Sequence, residues 1–296
     1  MEPLADGRSG VIITYFSTAS AVGKTILSIN MASELARIGY DVCLLDADIQ
    51  FGDAEDYLAL NPTYDLADAH QALKDDPEAN IEQYLTIYNY RSINFHILPS
   101  PKDLTLAYNI EPEMVGKIVE KLQRRFDFVI IDTTSMFSSL NMILLDMSTI
   151  VTFLGIVDFI PTIKNMKIGL ETLRSLNSDE NKLRLVLNRS DSKTKIGRRD
   201  VENLLGESFY HILPNDYKAA SQSIKTAVPL VLSGAKSDLA TSLRELVALY
   251  TNRSYDDSGN VNDSVDEYYE DMYRNRQQSH NDRSSGGGGW FSKLFG

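Results

Sequence analysis

The chain has a single cysteine, Cys43, among 296 residues. No disulfide can form within it, and a reducing compartment is its natural setting. No run approaches the roughly 20 apolar residues that span a bilayer. The polar stretch from Met1 to Gly10 carries no apolar core of a secretory signal. Basic residues are scarce: 29 Lys and Arg stand against 41 Asp and Glu, a formal charge of −12. Broad nucleic-acid binding needs the opposite balance, so no nucleic-acid partner is expected. The basic cluster Lys193, Lys195, Arg198 and Arg199 reads as a solvated or partner-facing loop. His70, His96, His211 and His280 show no metal-ligand spacing. What remains is the expectation of a cytoplasmic protein.

The stretch that organises the rest lies near the front. Val11 to Tyr15 is an apolar, β-branched run that predicts a buried strand. Ile26 to Ile38 has apolar residues at helical spacing, with Gly39 placed to stop it. Between them runs Phe16-Ser-Thr-Ala-Ser-Ala-Val-Gly-Lys-Thr25. A strand, a loop of small residues closing in Gly-Lys-Thr, then a helix is a setting in which loop N–H groups and a helix N-terminus cradle phosphates. Lys24 would reach the β- and γ-phosphates, and the Thr25 hydroxyl would ligate Mg²⁺. Thr18 stands where the consensus asks for a first glycine. Taken alone, Gly23-Lys24-Thr25 is also what an ordinary helix start can carry.

Two further strand ends supply carboxylates. Val42 to Asp46 predicts a short strand running into Asp46-Ala-Asp-Ile-Gln-Phe-Gly52. Alternate aspartates at the C-terminal edge of an α/β sheet can hold Mg²⁺ through water and polarise an attacking water, or can form a capped acidic loop. Phe126 to Asp132 is a hydrophobic run closed by a carboxylate, the shape of a Walker B element. Asp132 would orient the Mg²⁺ hydration shell or cap the next turn. Other helices are expected at Tyr64 to Leu73 with Asp65 as N-cap, Glu111 to Arg125 with Pro112 in the first turn, Ile160 to Leu176, Lys218 to Ala227 and Asp238 to Thr251. Strands are expected at Asn94 to Leu98, Ile150 to Val157, Leu183 to Leu187 and His211 to Asn215. This alternation predicts an α/β fold, a doubly wound, mostly parallel sheet over residues 11–251 behind an extension of residues 1–10.

From Asn252 the character changes. Residues 252–289 form an acidic, tyrosine-containing and then glycine-rich stretch expected to be a disordered linker, with one helical turn around Val265 to Tyr273. The last heptad, residues 290–296, is abruptly aromatic. On a helix Trp290, Phe291, Leu294 and Phe295 share one face, the layout of a short membrane- or partner-binding tail that folds only on its target.

Taken together these residues resemble the MinD/ParA group of P-loop ATPases, most closely the CpaE/TadZ-type proteins of Tad (Flp) pilus assembly. The deviant loop K-G-G-x-G-K-T aligns with Ala19-Ser-Ala-Val-Gly-Lys-Thr25, D-x-D-x-Q-x-G with Asp46 to Gly52, and Walker B with Asp132. Leu187-Asn-Arg189 and Leu213-Pro-Asn-Asp-Tyr-Lys-Ala219 look like the adenine-side elements. The resemblance implies that ATP and Mg²⁺ are bound by Ala19, Ser20, Ala21, Val22, Gly23, Lys24, Thr25 and Ile26. It places Asn188, Pro214 and Asn215 beside the adenine, and Thr25, Asp46 and Asp132 around the metal. Asp48 and Lys24 would be the catalytic residues, Asp48 by positioning or activating the attacking water, and ATP would sit between the subunits of a homodimer. Ala19 departs from the pattern: the family's signature lysine stands there, and its loss implies slow hydrolysis or none. Ser20 and Ala21 replace two glycines, and Thr134 and Ser135 replace prolines common after Walker B.

The implied function is an ATP-binding, dimerising localisation factor with weak or absent hydrolysis. Its partners would be proteins of a pilus, secretion or polar machinery, and it would be recruited to the inner face of the cell membrane. The tail from Trp290 to Gly296 resembles the membrane-targeting end of MinD proteins, which keeps a cell-division positioning ATPase as an alternative. A bacterial tyrosine kinase, suggested by Tyr268, Tyr269 and Tyr273, and a scaffold that has lost nucleotide are the other readings.

Overall fold

The computed structural model describes residues 9–176, 180–190, 197–255 and 261–262. Eight strands form one sheet: β1 (Val11–Phe16), β2 (Val42–Asp46), β3 (Thr86–Tyr90), β4 (Ile93–Leu98), β5 (Phe128–Asp132), β6 (Ile150–Gly155), β7 (Leu183–Leu187) and β8 (His211–Ile212). Their spatial order is β3-β4-β2-β5-β1-β6-β7-β8. Every neighbouring pair is parallel except β3 and β4. The helices are α1 (Lys24–Arg37), α2 (Ala54–Tyr57), α3 (Leu66–Asp75), α4 (Leu104–Ala107), α5 (Pro112–Arg125), α6 (Ser139–Met147), α7 (Ile160–Leu176), α8 (Arg198–Leu205), α9 (Tyr217–Thr226) and α10 (Asp238–Thr251). This is the mostly parallel α/β arrangement that the alternation predicts.

The central strand shows why these residues fold this way. β1 is buried along nearly its whole length, as a strand covered on both faces must be. Ile12 and Phe16 point to one face. There Ile12 joins a core with Leu45, Val129, Ile131 and residues of α3 and α5, while Phe16 joins a second with Phe153, Leu187 and residues of α7 and α8. The other face carries α1, whose residues Leu27 to Leu35 are all buried. α3 opens on a capping box, with Asp65 accepting from the N–H groups of Ala67 and Asp68; such a cap is worth about 1 kcal/mol. Pro112 opens α5.

Several boundaries differ from the expectation. α1 begins at Lys24 instead of Ile26, and β5 begins at Phe128, because Phe126 closes α5. β8 keeps only His211 and Ile212 of the expected five residues. β3 and the helices α2, α4, α6 and α8 had no counterpart in the sequence reading, and Arg198 and Arg199, expected in a loop, open α8 instead. Met1–Val247 makes one compact unit and Ala248–Gly296 a second. In the second, Ser254–Tyr255 pairs antiparallel with Val261–Asn262, within a stretch expected to lack regular structure. Lys193, Lys195, the remaining linker and the tail residues Trp290, Phe291, Leu294 and Phe295 lie outside the described residues. Among the described residues, no helix is long and apolar enough to cross a membrane.

The parallel strands all deliver their C-terminal ends to one edge. The loops after β1, β2, β5 and β7 meet there, and that edge is where open α/β sheets bind ligands.

Candidate functional site

Gly23 is the hinge between β1 and α1. Its φ is +97°, and a Cβ there would meet the Asn188 Nδ2 at 2.8 Å, so no larger residue fits unstrained. As the N-cap of α1 it brings no side chain, and the helix's first turn has no acidic residue. The N–H groups at this helix start are left for an anion, with the helix dipole behind them.

The loop before it is held by hydroxyls. The Ser17 Oγ donates to the Ala19 carbonyl at 2.5 Å, and the Ser135 Oγ donates to the same oxygen at 2.7 Å. The Lys24 Nζ in turn donates to the Ser135 Oγ at 3.0 Å. Burial lowers the Lys24 ammonium's pKa, against the opposing pull of Asp132, Asp48 and Asp53. Val22 is buried, and its carbonyl accepts from the Asn188 Nδ2 at 2.8 Å. The Arg189 guanidinium donates to the Ala21 carbonyl at 3.1 Å, and Ala21 itself has φ +56°.

Across from this loop stand carboxylates. Asp46 and Asp132 are direct register partners on β2 and β5. Asp46 is fully buried, its Oδ1 accepting from the Asp48 N–H at 3.0 Å and its Oδ2 from the Ala54 N–H at 3.2 Å. It therefore shapes the loop that carries Asp48. Gly52 is obligatory in that loop, since a Cβ would lie 2.2 Å from the Ser100 Oγ and 2.5 Å from the Asp46 Oδ2. Burial, then the neighbouring Asp132 charge, pushes the Asp46 carboxyl far above the usual range. Asp132 is 2% exposed, and its Oδ1 has no hydrogen-bond partner. Burial raises its pKa to about 7, against the Thr25 hydroxyl and the Lys24 charge, which both favour the anion.

A cavity of about 840 Å³ lies between these walls, lined among others by Lys24, Thr25, Asp48, Asp53 and Ser135. A smaller one of about 60 Å³ adjoins Gly23 and Ile26 and is lined by Asn188, Pro214 and Asn215. Of the residues named from the sequence, Ser20, Ala21, Gly23, Lys24, Thr25, Ile26 and Asp48 line the large cavity, and Asn188, Pro214 and Asn215 its annex; Val22, Asp46 and Asp132 are buried behind them and line neither. Ala19 contributes backbone only to the contacts described. Asn188 spends both its amide groups on the protein, its Oδ1 accepting from the Arg189 N–H at 2.9 Å. The sequence reading missed Asp53 and Tyr57. Asp53 is half-buried; burial raises its pKa while hydrogen bonds with Tyr57 and Thr25 oppose the rise. Its signal was its place directly after Gly52.

The donor set fits a magnesium nucleotide. An unpartnered buried carboxylate oxygen beside a threonine hydroxyl suits a hydrated divalent cation, and an uncapped helix start beside a lysine suits phosphate. Among the described residues no group of three His, Cys, Asp or Glu side chains could hold a metal ion by itself. Waters and phosphate oxygens would complete its shell.

The model of the CobQ/CobB/MinD/ParA nucleotide binding domain matches residues 13–229. The septum site-determining protein MinD of Thermotoga maritima is 30% identical over 126 residues, which cover 42% of this chain and 44% of that protein. The match therefore spans less than half the relative's length. A ParA-family ATPase from Chlorobium tepidum has the same fold, with a TM-score of 0.74 at 19% identity over 81% of this chain and 99% of that one. So does MinD of Pyrococcus horikoshii, solved with Mg-ADP, at a TM-score of 0.68 and 20% identity over 81% and 96%.

Proposed function

The chain belongs to the CobQ/CobB/MinD/ParA nucleotide-binding domain family, and on that premise we propose that it is a nucleotide-gated positioning factor that binds Mg-ATP, pairs with a second copy when ATP is bound, and hydrolyses it slowly or not at all. One observation carries this reading. The unpartnered Asp132 Oδ1 stands with Thr25 and Lys24 at an uncapped helix start.

Each residue then has a task. The N–H groups around Gly23 and Lys24 bind the β-phosphate, and the Lys24 ammonium neutralises charge on the β- and γ-oxygens. Thr25 and Asp132 hold Mg²⁺, with Asp46 fixing the loop beside them. The ion, when bound, screens the phosphate charge and steadies the leaving group. Asp48 orients the attacking water and accepts its proton. Pro214 and Asn215, in the small annex, flank the base, and Asn188 keeps the loop in shape for it. At position 19 the methyl of alanine offers no cation to the transition state, which is why turnover is slow.

The machinery positioned is that of a CpaE/TadZ-type pilus or secretion assembly, the family whose D-x-D-x-Q-x-G loop Asp46 to Gly52 follows. A MinD-like role in placing the division site is the second reading, favoured by the similarity to the Thermotoga protein. The heptad ending at Gly296 would serve either by touching the membrane or a partner. Calorimetry with ATP and ADP, with particle mass followed in parallel, tests the common part. Wild type should bind ATP and form dimers, and Lys24→Ala should do neither. Absence of binding by wild type would leave a scaffold that keeps the fold alone.

A further inference from the structure

We propose that Ser135 is the residue by which this site tells a triphosphate from a diphosphate. The inference rests on the ATP-binding reading above. Lys24 places its ammonium 3.0 Å from the Ser135 Oγ. A lysine in this loop goes to the β- and γ-phosphate oxygens, so the phosphates enter beside the ammonium that the Ser135 hydroxyl now holds. Ser135 lines the large cavity and not the annex, whereas Pro214 and Asn215 line only the annex. Ser135 therefore sits at the phosphate end, away from the base.

The hydroxyl has one proton to give, and it gives it to the Ala19 carbonyl at 2.7 Å. That carbonyl also accepts from the Ser17 Oγ at 2.5 Å. Ser135 can therefore leave without stranding a carbonyl, and the penalty for an unsatisfied buried acceptor does not arise. When a terminal phosphate enters, Lys24 moves its ammonium onto it and Ser135 turns its proton to a γ-oxygen. ADP ends short of that position, so Ser135 stays on the Ala19 carbonyl. The same rotation reports occupancy to the loop at position 19, which has no charged side chain of its own. A proline at position 135 has no hydroxyl and could do none of this.

The test is calorimetry on the full chain with Mg²⁺, comparing ADP with the non-hydrolysable AMPPNP for wild type, Ser135→Ala and Ser135→Thr. A hydrogen bond to a charged oxygen corresponds to roughly tenfold or more in affinity. Ser135→Ala should thus bind ADP within about twofold of wild type, while its preference for AMPPNP over ADP falls about tenfold. Ser135→Thr should keep the wild-type preference. Equal weakening of both nucleotides would mean that Ser135 only shapes the loop, and would overturn the proposal. So would affinities unchanged in Ser135→Ala. If wild type bound neither nucleotide, the ATP-binding reading would itself fall and carry this proposal with it.

Discussion

The two sides of the site differ in kind. The phosphate-loop side is settled: Ser17, Ser135 and the Ala19 carbonyl satisfy one another, Lys24 is tethered to Ser135, and Arg189 to the Ala21 carbonyl. The facing side is charged and unsettled. Asp46, Asp53 and Asp132 all have pKa values raised by burial, and one oxygen of Asp132 has no partner at all. Lys24 is the cation that answers them, and burial weakens even that charge. The first side has been simplified to side chains that cost little to bury. The second retains a cost that only a cation removes, and cost of that sort concentrates where ligands bind. The carboxylate side is therefore where a bound cation would relieve the larger cost of burial.

If the loop side is what limits turnover, Ala19→Lys should relax the limit. A cation delivered to the transition state is worth about 10³-fold or more in phosphoryl transfer. Phosphate release per dimer should rise by about that factor in the variant, with little change in ATP affinity. An unchanged rate would move the limit to the bulk of Ser20 and Ala21, and the contrast between the sides would lose its catalytic meaning. The carboxylate side can be relieved as well. Asp132 titrates near 7 when folded and near 4 when unfolded. Its pKa is raised on folding, so its contribution to stability is full below pH ~4 and is lost as pH rises through ~7. Denaturant unfolding of the nucleotide-free protein should show this loss, to which Asp46 and Asp53 contribute with the same sign; Asp132→Asn should remove the Asp132 share and gain stability at pH 8. His70 and His96 have pKa values lowered by burial. They act in the opposite direction, favouring the fold above pH ~6.5, and their share should survive in the variant. A variant no more stable than wild type at pH 8 would mean that Asp132 is already neutralised within the protein.

The sequence was most readable where a motif and a strand end coincide. Gly23 to Thr25 open a helix, Asp46 and Asp132 close predicted strands, Asp48 follows two residues after Asp46, and the parallel sheet brings them together. It was least readable where the decisive contact spans the chain. Ser135 lies 116 residues from Ala19, and from its neighbours alone it is only a missing proline. Asp53 bonds Thr25 across the chain, and Tyr57 bonds Asp53; the contact with Thr25 is one that no local pattern encodes. The β3–β4 hairpin turns at Arg91, with φ +56°, where no glycine or asparagine signals it. α6 is so apolar on all sides that helical periodicity is hard to see in Ser139–Met147. β5 was drawn too long because hydrophobicity continues into Phe126, which closes α5; β8 was drawn too long because, although the Leu213 N–H still donates to the Leu187 carbonyl, Pro214 has no N–H to carry the ladder on.

The smallest effect sharpens the description of the loop side. Ala21 holds φ +56°, a conformation that crowds its Cβ and costs an L-residue about 1–2 kcal/mol. Glycine would relieve that strain but would lose about 0.5–1 kcal/mol more backbone entropy on folding. The net expectation for Ala21→Gly is a gain of about 0–1 kcal/mol, read as a shift of the urea midpoint at constant slope. The sign is informative because Ala21 is exposed and makes its described contact through the backbone, the carbonyl that accepts from Arg189. No side-chain packing is lost to confuse the result. A clear loss of stability would mean that Ala21 is relaxed in its left-handed conformation. The two glycines replaced in this loop would then have cost the fold nothing, leaving phosphate access as the only thing they change.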